Sequence, residues 1–367
     1  MPDAVAIVGG GPAGMALALA LHKQGITSEI FDARARGAAI NDKRILAISY
    51  GSRQILEQLG VWHGSAATAI DTIHISQRGR LGRTRLTARD EGVPALGYVV
   101  NAGALAAVLD AAVAQADISY HELQKVGAGE TAHYALTAWA EGAVSVADAT
   151  TIRDYGQHAI LCTATTHQPH HHTAWERFTP DGPLALLPHG NTGNQHAVVF
   201  TCASTAATQL AAEGDADFLA RLQSRFGARL SFTAVGPRFC YALGLRYREE
   251  IVAARQVWIG NAAQTLHPVA GQGFNLALRD IHDLAHTLAD PGNADDPGDA
   301  ALLARYAASR RLDRQATIRF TDGLARLFAN DFPPLAHARG AALLALDLLP
   351  PLRHFVARRM MFGARAW

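Results

Sequence analysis

Cysteine is scarce. Cys162, Cys202 and Cys240 are the only three in 367 residues and no two lie close in sequence. That excludes a disulfide framework and a cysteine-based zinc site, and it fits a reducing cytoplasm. An excess of charge of one sign is also missing. The formal net charge is +1, whereas a nucleic-acid partner usually needs a strong basic excess. Long hydrophobic runs are absent too, since a stretch such as 341–346, AALLAL, falls short of the roughly 18 residues of a membrane span. The N-terminus, where Asp3 leads into an apolar strand, has no signal-peptide pattern. Histidines crowd at 167–172, HQPHHH, but no cysteine or carboxylate cluster accompanies them, so the segment reads as a solvated loop and no metal is expected. What remains is an ordinary globular composition with ample core for one large domain or two.

The first chemical signal is at the N-terminus. Residues 4–9, AVAIVG, read as a buried strand and 13–24 as a helix rich in Ala and Leu. Between them Gly9, Gly11 and Gly14 stand at GxGxxG spacing. Glycines there permit a tight turn, close approach of backbone to a pyrophosphate, and tight packing of helix on strand. A second strand, 28–32, ends in Asp32, 18 residues after Gly14, where an acid accepts hydrogen bonds from an adenosine ribose. This order of elements predicts a dinucleotide site. A second glycine pair, Gly127 and Gly129, has only weak strand character before it and no amphipathic helix after it, and reads as a turn.

The second signal lies far down the chain, at 260–280, GNAAQTLHPVAGQGFNLALRD, which carries no charge until Arg279. FAD lies extended and needs a second clasp at its ribityl and ring end, whereas NAD alone does not. After the strand 256–259, Asn261 at a helix start can reach a ribityl hydroxyl, and HPVAGQGFN supplies backbone N–H groups beside a flat ring. Such donors stabilise negative charge on a reduced flavin. FAD is therefore the expected cofactor. No CxxxxC follows the first helix and no WxWxIP occurs, which sets aside disulfide reductases and flavin halogenases.

These residues resemble the flavin-dependent aromatic hydroxylases of the para-hydroxybenzoate hydroxylase fold, and among them the ubiquinone-biosynthesis hydroxylases. The resemblance runs nearly end to end, through VGGGPAGMALALAL, DKRILAISYGSRQILEQLGVW (42–62), ERFTPDGPLALLP (176–188), the 260–280 segment and RLDRQATIRFTDGLARLF (311–328). The family's Gly-Asp motif is here Gly260-Asn261, a variant similar to the 2-polyprenyl-6-methoxyphenol hydroxylase branch. The resemblance implies that Gly9, Gly11, Gly14 and Asp32 hold the ADP half and Arg44 the pyrophosphate or ribityl chain. Asn261 would contact the ribityl, and Pro268, Gly271, Gly273, Phe274 and Asn275 would line the ring. It further implies hydroxylation of a polyprenylated phenol with NAD(P)H and O2 through a flavin C4a-hydroperoxide. His267 and Pro268 are the candidate catalytic residues. The substrate pocket is expected over alternating apolar strands such as 183–187 and 197–200.

One motif departs from the family. Its central Ala-Asp-Gly is represented by Ala147-Asp148-Ala149, with Arg153 following, and the glycine is gone. In the superfamily that motif bears on FAD and nicotinamide binding. The departure motivates a reading from another class, a catalytically impaired flavin-fold scaffold in a quinone-biosynthesis complex.

The expected fold is α/β (α+β overall). A Rossmann-like FAD-binding domain is built from 1–66, 101–160 and 251–330, with an inserted sheet-rich substrate domain from 67–100 and 161–250. A C-terminal helical tail, 331–367, is broken at Pro350-Pro351. Over 336–367 five arginines (Arg339, Arg353, Arg358, Arg359, Arg365) face one acid, Asp347, among many leucines. That pattern suits peripheral contact with the inner membrane, or packing on the FAD-binding domain.

Overall fold

Val5–Val8 are four apolar residues with no polar alternation, and all four are buried, as a parallel strand covered on both faces must be. They open a computed structural model that describes residues 4–62, 67–80, 82–144, 150–190, 192–290, 296–328 and 333–366. From β1 (Val5–Val8) the chain runs through α1 (Pro12–Lys23), β2 (Ser28–Phe31), β3 (Ile45–Ser49), α2 (Tyr50–Gln58), β4 (Thr68–Ile70), β5 (Thr72–Gln77), β6 (Arg83–Thr87) and α3 (Ala88–Glu91). It continues with β7 (Gly97–Asn101), α4 (Ala102–Gln115), β8 (Ser119–His121), β9 (Leu136–Trp139), β10 (Thr150–Thr166), β11 (Thr173–Thr179), β12 (Gly182–His189) and β13 (Gln195–Ala203). The remainder is α5 (Ser204–Ala212), α6 (Asp215–Phe226), β14 (Phe232–Val235), β15 (Phe239–Arg248), β16 (Val252–Ala253), β17 (Gln256–Trp258), β18 (Gln264–Thr265), α7 (Gln272–Leu288), α8 (Ala300–Phe328), α9 (Pro333–Leu348) and α10 (Pro350–Phe362).

Three sheets result. The first, in the order β16-β17-β9-β1-β2-β8, is parallel except at its β16–β17 edge. Its core joins Ile7 of β1, Leu17 and Leu21 of α1, Leu109 of α4, Leu278 and Ile281 of α7, and Tyr306 of α8. Helix α1 is buried from Gly14 to Leu21, which its run of small and apolar residues allows. The second sheet, β18-β15-β10-β13-β12-β11-β5-β6 with β14 against β10, is antiparallel except where β11 meets β5. Leu184, Leu186, Val198 and Phe200 on one face pack under α5 and α6 against Phe218, Leu222 and Phe226. Period-two alternation turns Ala185, Leu187 and Val199 to the other face, towards the cavity described below. A small antiparallel sheet, β3-β7-β4, lies at the junction.

The expected fold class is present, with one boundary displaced. Strand β10 starts at Thr150 and runs unbroken in the pairing sense to Thr166, with a bulge between Asp154 and Gln157 that Gly156 accommodates at φ +62°. It belongs wholly to the nine-stranded sheet, so residues 150–160 sit apart from the six-stranded parallel sheet. The departing motif Ala147-Asp148-Ala149 lies outside the described residues. HQPHHH is only partly the solvated loop expected. His170 is buried, its Nδ1 accepts from the His172 N–H, and its ring meets His196 edge-on.

Candidate active site

Between the first two sheets lies a cavity of about 1200 Å3. Small-molecule sites usually measure roughly 300–1,000 Å3, so this one has room for two occupants.

One end is built by β1, α1 and β2. Gly9 sits at φ +116°, where a Cβ would fall 2.6 Å from the Ala140 carbonyl oxygen, and a Cβ on Gly14 would fall 1.8 Å from the Gly9 carbonyl oxygen. Gly11 differs from both. No atom lies within 4 Å of its Cβ position, because that position faces the cavity. It is the N-cap of α1, with Pro12 at the helix start and no side-chain cap, which leaves the first N–H groups and the helix dipole for an anion. Asp32, just past β2, is buried on the cavity wall. Its Oδ2 accepts from Gly10 N at 2.8 Å and from the Arg34 guanidinium at 2.9 Å. Burial pushes this carboxyl up, but the Arg34 guanidinium and the N–H groups of Arg34 and Gly10 prevail, and it titrates below its ordinary range. Arg44 also lines the cavity, held by Asp42 at 2.6 Å.

The other end is built by the segment before α7. Asn261 lies in a short 3-10 turn on the cavity wall, its Nδ2 donating to the Gly142 carbonyl at 3.2 Å. Gly271 is the N-cap of α7 at φ 60°, again without a side-chain cap. Pro268, Gly271, Gly273 and Phe274 all line the cavity. Asn275 does not. Its Oδ1 accepts from Ser49 N at 2.8 Å, and its Nδ2 donates to the Ala47 and Gly271 carbonyls. The expectation that it lines the ring gives way to a structural role, fixing the α7 start to β3.

His267 is buried on the same wall. Its Nδ1 accepts from Val269 N at 3.1 Å, which puts the proton of the neutral ring on Nε2, and Nε2 has no partner among the described residues. Burial lowers its pKa to about 4, so at neutral pH it is an uncharged donor and not a base.

The sheet wall is Leu161, Ala174, Pro183, Ala185, Leu187 and Val199, with one ionisable exception, Glu176 of β11. Glu176 stood unremarked within ERFTPDGPLALLP. A lone acid in an otherwise apolar alternation was the available signal.

Two further groups were missed. Gln264, within the 260–280 segment, donates from Nε2 to Asp280 at 3.0 Å and accepts at Oε1 from Arg314 at 2.7 Å. Arg310 bridges Asp280, Asp283 and Asp313, and Asp313 also accepts from Arg279 at 2.7 Å. Burial favours a neutral Asp313, but Arg279 and Arg310 outweigh it and hold its pKa below the ordinary value. This network, carried by 310–314, ties α8 to α7 and to the loop under His267.

A model of the family described as FAD binding domain matches residues 3–142 and 124–321. The chain is 34% identical over 385 residues to the ubiquinone hydroxylase UbiL of Rhodospirillum rubrum, covering 97% of this chain and 89% of that protein. It is 29% identical over 377 residues to the 3-demethoxyubiquinol 3-hydroxylase of Escherichia coli, covering 94% of this chain and 95% of that protein. The crystal structure of p-nitrophenol 4-monooxygenase PnpA from Pseudomonas putida superposes with a TM-score of 0.72 at 15% identity, covering 98% of each chain, a likeness of fold.

Proposed function

The chain belongs to the FAD binding domain family and, within it, to the ubiquinone-biosynthesis hydroxylases, and on that premise we propose that it hydroxylates the ring of a polyprenylated phenol. It is a flavin-dependent monooxygenase, with FAD as cofactor and NAD(P)H as co-substrate. The relatives are named as hydroxylases, which favours an enzyme over an impaired scaffold.

The observation that carries the reading is that two helix N-termini, those of α1 and α7, both lack side-chain caps and open on one cavity. A pyrophosphate needs one of them, and a ring that gains negative charge on reduction needs the other. The residues therefore fit FAD. Gly9, Gly11, Gly14 and Asp32 would hold its ADP half, Arg44 and Asn261 its middle, and Pro268, Gly271, Gly273 and Phe274 its ring. Bound FAD supplies the redox chemistry, passing electrons from NAD(P)H to O2 and one oxygen atom to the ring. The protein supplies the rest. The apolar sheet wall excludes water and packs against the phenol. The unpartnered Nε2–H of His267 gives a neutral hydrogen-bond donor at the ring end, and Pro268 holds the turn that presents it.

A prenylated substrate resides in a bilayer, and among the described residues no single helix is long and apolar enough to cross one. Leu344, Leu348, Leu349, Leu352 and Phe355 are exposed at the sharp bend between α9 and α10. Together they support peripheral contact there, on the cytoplasmic side of the membrane, as the route by which substrate arrives. The basic count of the tail contributes less than expected, because Arg339 is buried and donates to the Leu327 carbonyl at 2.6 Å.

The test is direct. Purified protein should carry noncovalent FAD that NADPH bleaches without oxygen, and in air it should add one oxygen atom to a prenylated phenol, seen by mass spectrometry. Bleaching without oxygen transfer to any such phenol overturns the substrate class. Absence of flavin overturns the enzyme.

A further inference from the structure

A phenol attacks an electrophilic oxygen through its ring, and it does so far better as it loses its hydroxyl proton, because the freed electron pair enters the ring. The site therefore gains from a base near the hydroxyl. His267 cannot serve, since its one free nitrogen carries a proton and burial keeps the ring neutral.

Glu176 sits in the middle of β11, paired to Ile75 of β5 and Ala185 of β12, both apolar. Its neighbours Trp175 and Arg177 point to the opposite face of the sheet. There Trp175 packs on Phe226, and Arg177 bonds the Arg225 carbonyl and Ser76 Oγ. On the cavity face, Ala174 packs with Ile70 and Val99, and Phe178 packs with Val269. Nothing ionisable stands among these. Glu176 Oε1 is fully enclosed and has no hydrogen-bond partner among the described residues. Of the cavity's other charged residues, Asp32, Arg34, Lys125 and Glu141 stand at its nucleotide end and Arg44, paired with Asp42, at its middle, and His267 is neutral. A solitary carboxyl without a cation or donor costs stability where it is, and the fold gains nothing from it that a glutamine or leucine would not give.

We propose that Glu176 is the catalytic base that accepts the hydroxyl proton of the phenol bound against the β11–β12–β13 wall. The O–H bond breaks, its electron pair stays on the phenolate oxygen, and a new O–H bond forms on Glu176. No electrons are exchanged with any other group. As the hydroxylated ring carbon sheds its own hydrogen as a proton to water and the ring regains aromaticity, the proton held on Glu176 returns to the phenol oxygen, which leaves the carboxylate ready for the next cycle. Desolvation alone raises this carboxyl to about 7, which suits a base working near neutrality. The assignment rests on the phenol-hydroxylase reading above.

Two measurements on the full-length, flavin-loaded protein test it. The first is turnover of a prenylated phenol by wild type, Glu176→Gln and Glu176→Asp across about pH 6 to 9. Wild-type kcat/KM should rise through about pH 7. E176Q should lose that rise together with about 10²-fold in kcat, the usual contribution of a positioned base, while KM changes little. E176D should recover the rise at a lower rate. The second is binding of 4-methoxyphenol to the oxidised protein without NAD(P)H, read from the flavin absorbance. Wild-type Kd should tighten about tenfold as pH rises through about 7, far below the phenol's own pKa of about 10, and E176Q should show no such change. If wild type and E176Q share one pH profile in binding, Glu176 is not the base. If prenylated phenols are not hydroxylated while E176Q still abolishes the binding profile, the base assignment stands and the substrate reading falls.

Discussion

Gly11 and Gly14 belong to one turn, yet side chains added at the two positions should do opposite things. A Cβ on Gly14 meets the Gly9 carbonyl at 1.8 Å, so Gly14→Ala forces α1 off β1 and should cost about 1–3 kcal/mol or more in chemical denaturation. Gly11→Val meets no protein atom. It should cost about 1 kcal/mol or less as an N-cap change while weakening FAD retention at least tenfold, measured as flavin per protein after gel filtration. A normal flavin complement in the Gly11 variant would remove the pyrophosphate from this turn. Glu176 gives the reverse pattern, loss of activity with gain of stability. Its pKa is about 7 in the fold against an ordinary 4.5. The folded state thus holds the extra proton, and the favourable contribution is complete below about pH 4.5 and lost as pH rises through 7. E176Q should therefore melt higher than wild type at pH 8, by on the order of 1–3 kcal/mol at about 1.4 kcal/mol per pKa unit, and nearly equally at pH 4.5. Equal melting shifts at both pH values would mean the carboxyl is not desolvated in solution. The glycines were legible in the sequence because spacing alone dictates their chemistry. Glu176 was legible only as a lone acid between Ala174 and Phe178, because its lack of a partner among the described residues shows only once β11 is paired between β5 and β12.

Elements were legible where their periodicity is strong. The strand–turn–helix at Val5–Lys23 and the break at Pro350 both stand close to where pattern puts them. The β10 start was not, since the alternation of Thr150–Thr166 does not reveal which sheet it joins. Nor was the bond between α7 and α8. Arg279 and Arg310 converge on Asp313, and the Ala364 N–H adds a further bond to it at 2.9 Å, so three separate segments share one carboxylate. Asp313→Ala should cost about 3–5 kcal/mol, because it strands the buried Arg279 guanidinium and takes from Arg310 one of its three carboxylates. With α7 loosened from α8, and with it the helix start that lines the cavity, flavin should also dissociate faster. A urea midpoint unchanged from wild type would show that water or another acid takes over. The tail elements answer a second question. Met361 and Ala357 are buried against Leu86 and Leu96, and the Met361 carbonyl accepts from Ser49 Oγ at 2.9 Å. Removing 334–367 would therefore unfold part of the core, and a membrane role must be probed by surface change alone.

At the scale of the molecule, the exposed leucines at the α9–α10 bend mark one end that can meet a bilayer. Leu348→Asp with Leu352→Asp should leave stability within about 0.5 kcal/mol while reducing flotation with anionic vesicles at least tenfold, since each leucine contributes about 1.5–3 kcal/mol when it leaves water. If the pair floats like wild type, the bend is not the contact and substrate comes by another surface. The same whole-molecule view gives the six-stranded sheet a consequence in time. Its parallel core joins β1 at residues 5–8, β9 at 136–139 and β17 at 256–258. On a ribosome, β1 waits beside an open edge while more than a hundred residues are added on each side of β9, and loop closure of that length is slow. The antiparallel neighbours β11, β12 and β13, confined to 173–203, can close first. The antiparallel half is thus ready before the parallel half. Because the second helix N-terminus begins only at Gln272, flavin capture comes after three quarters of the chain has been made. A cell short of flavin would then accumulate a nearly finished protein with an incomplete parallel sheet, which is the state proteases and chaperones recognise.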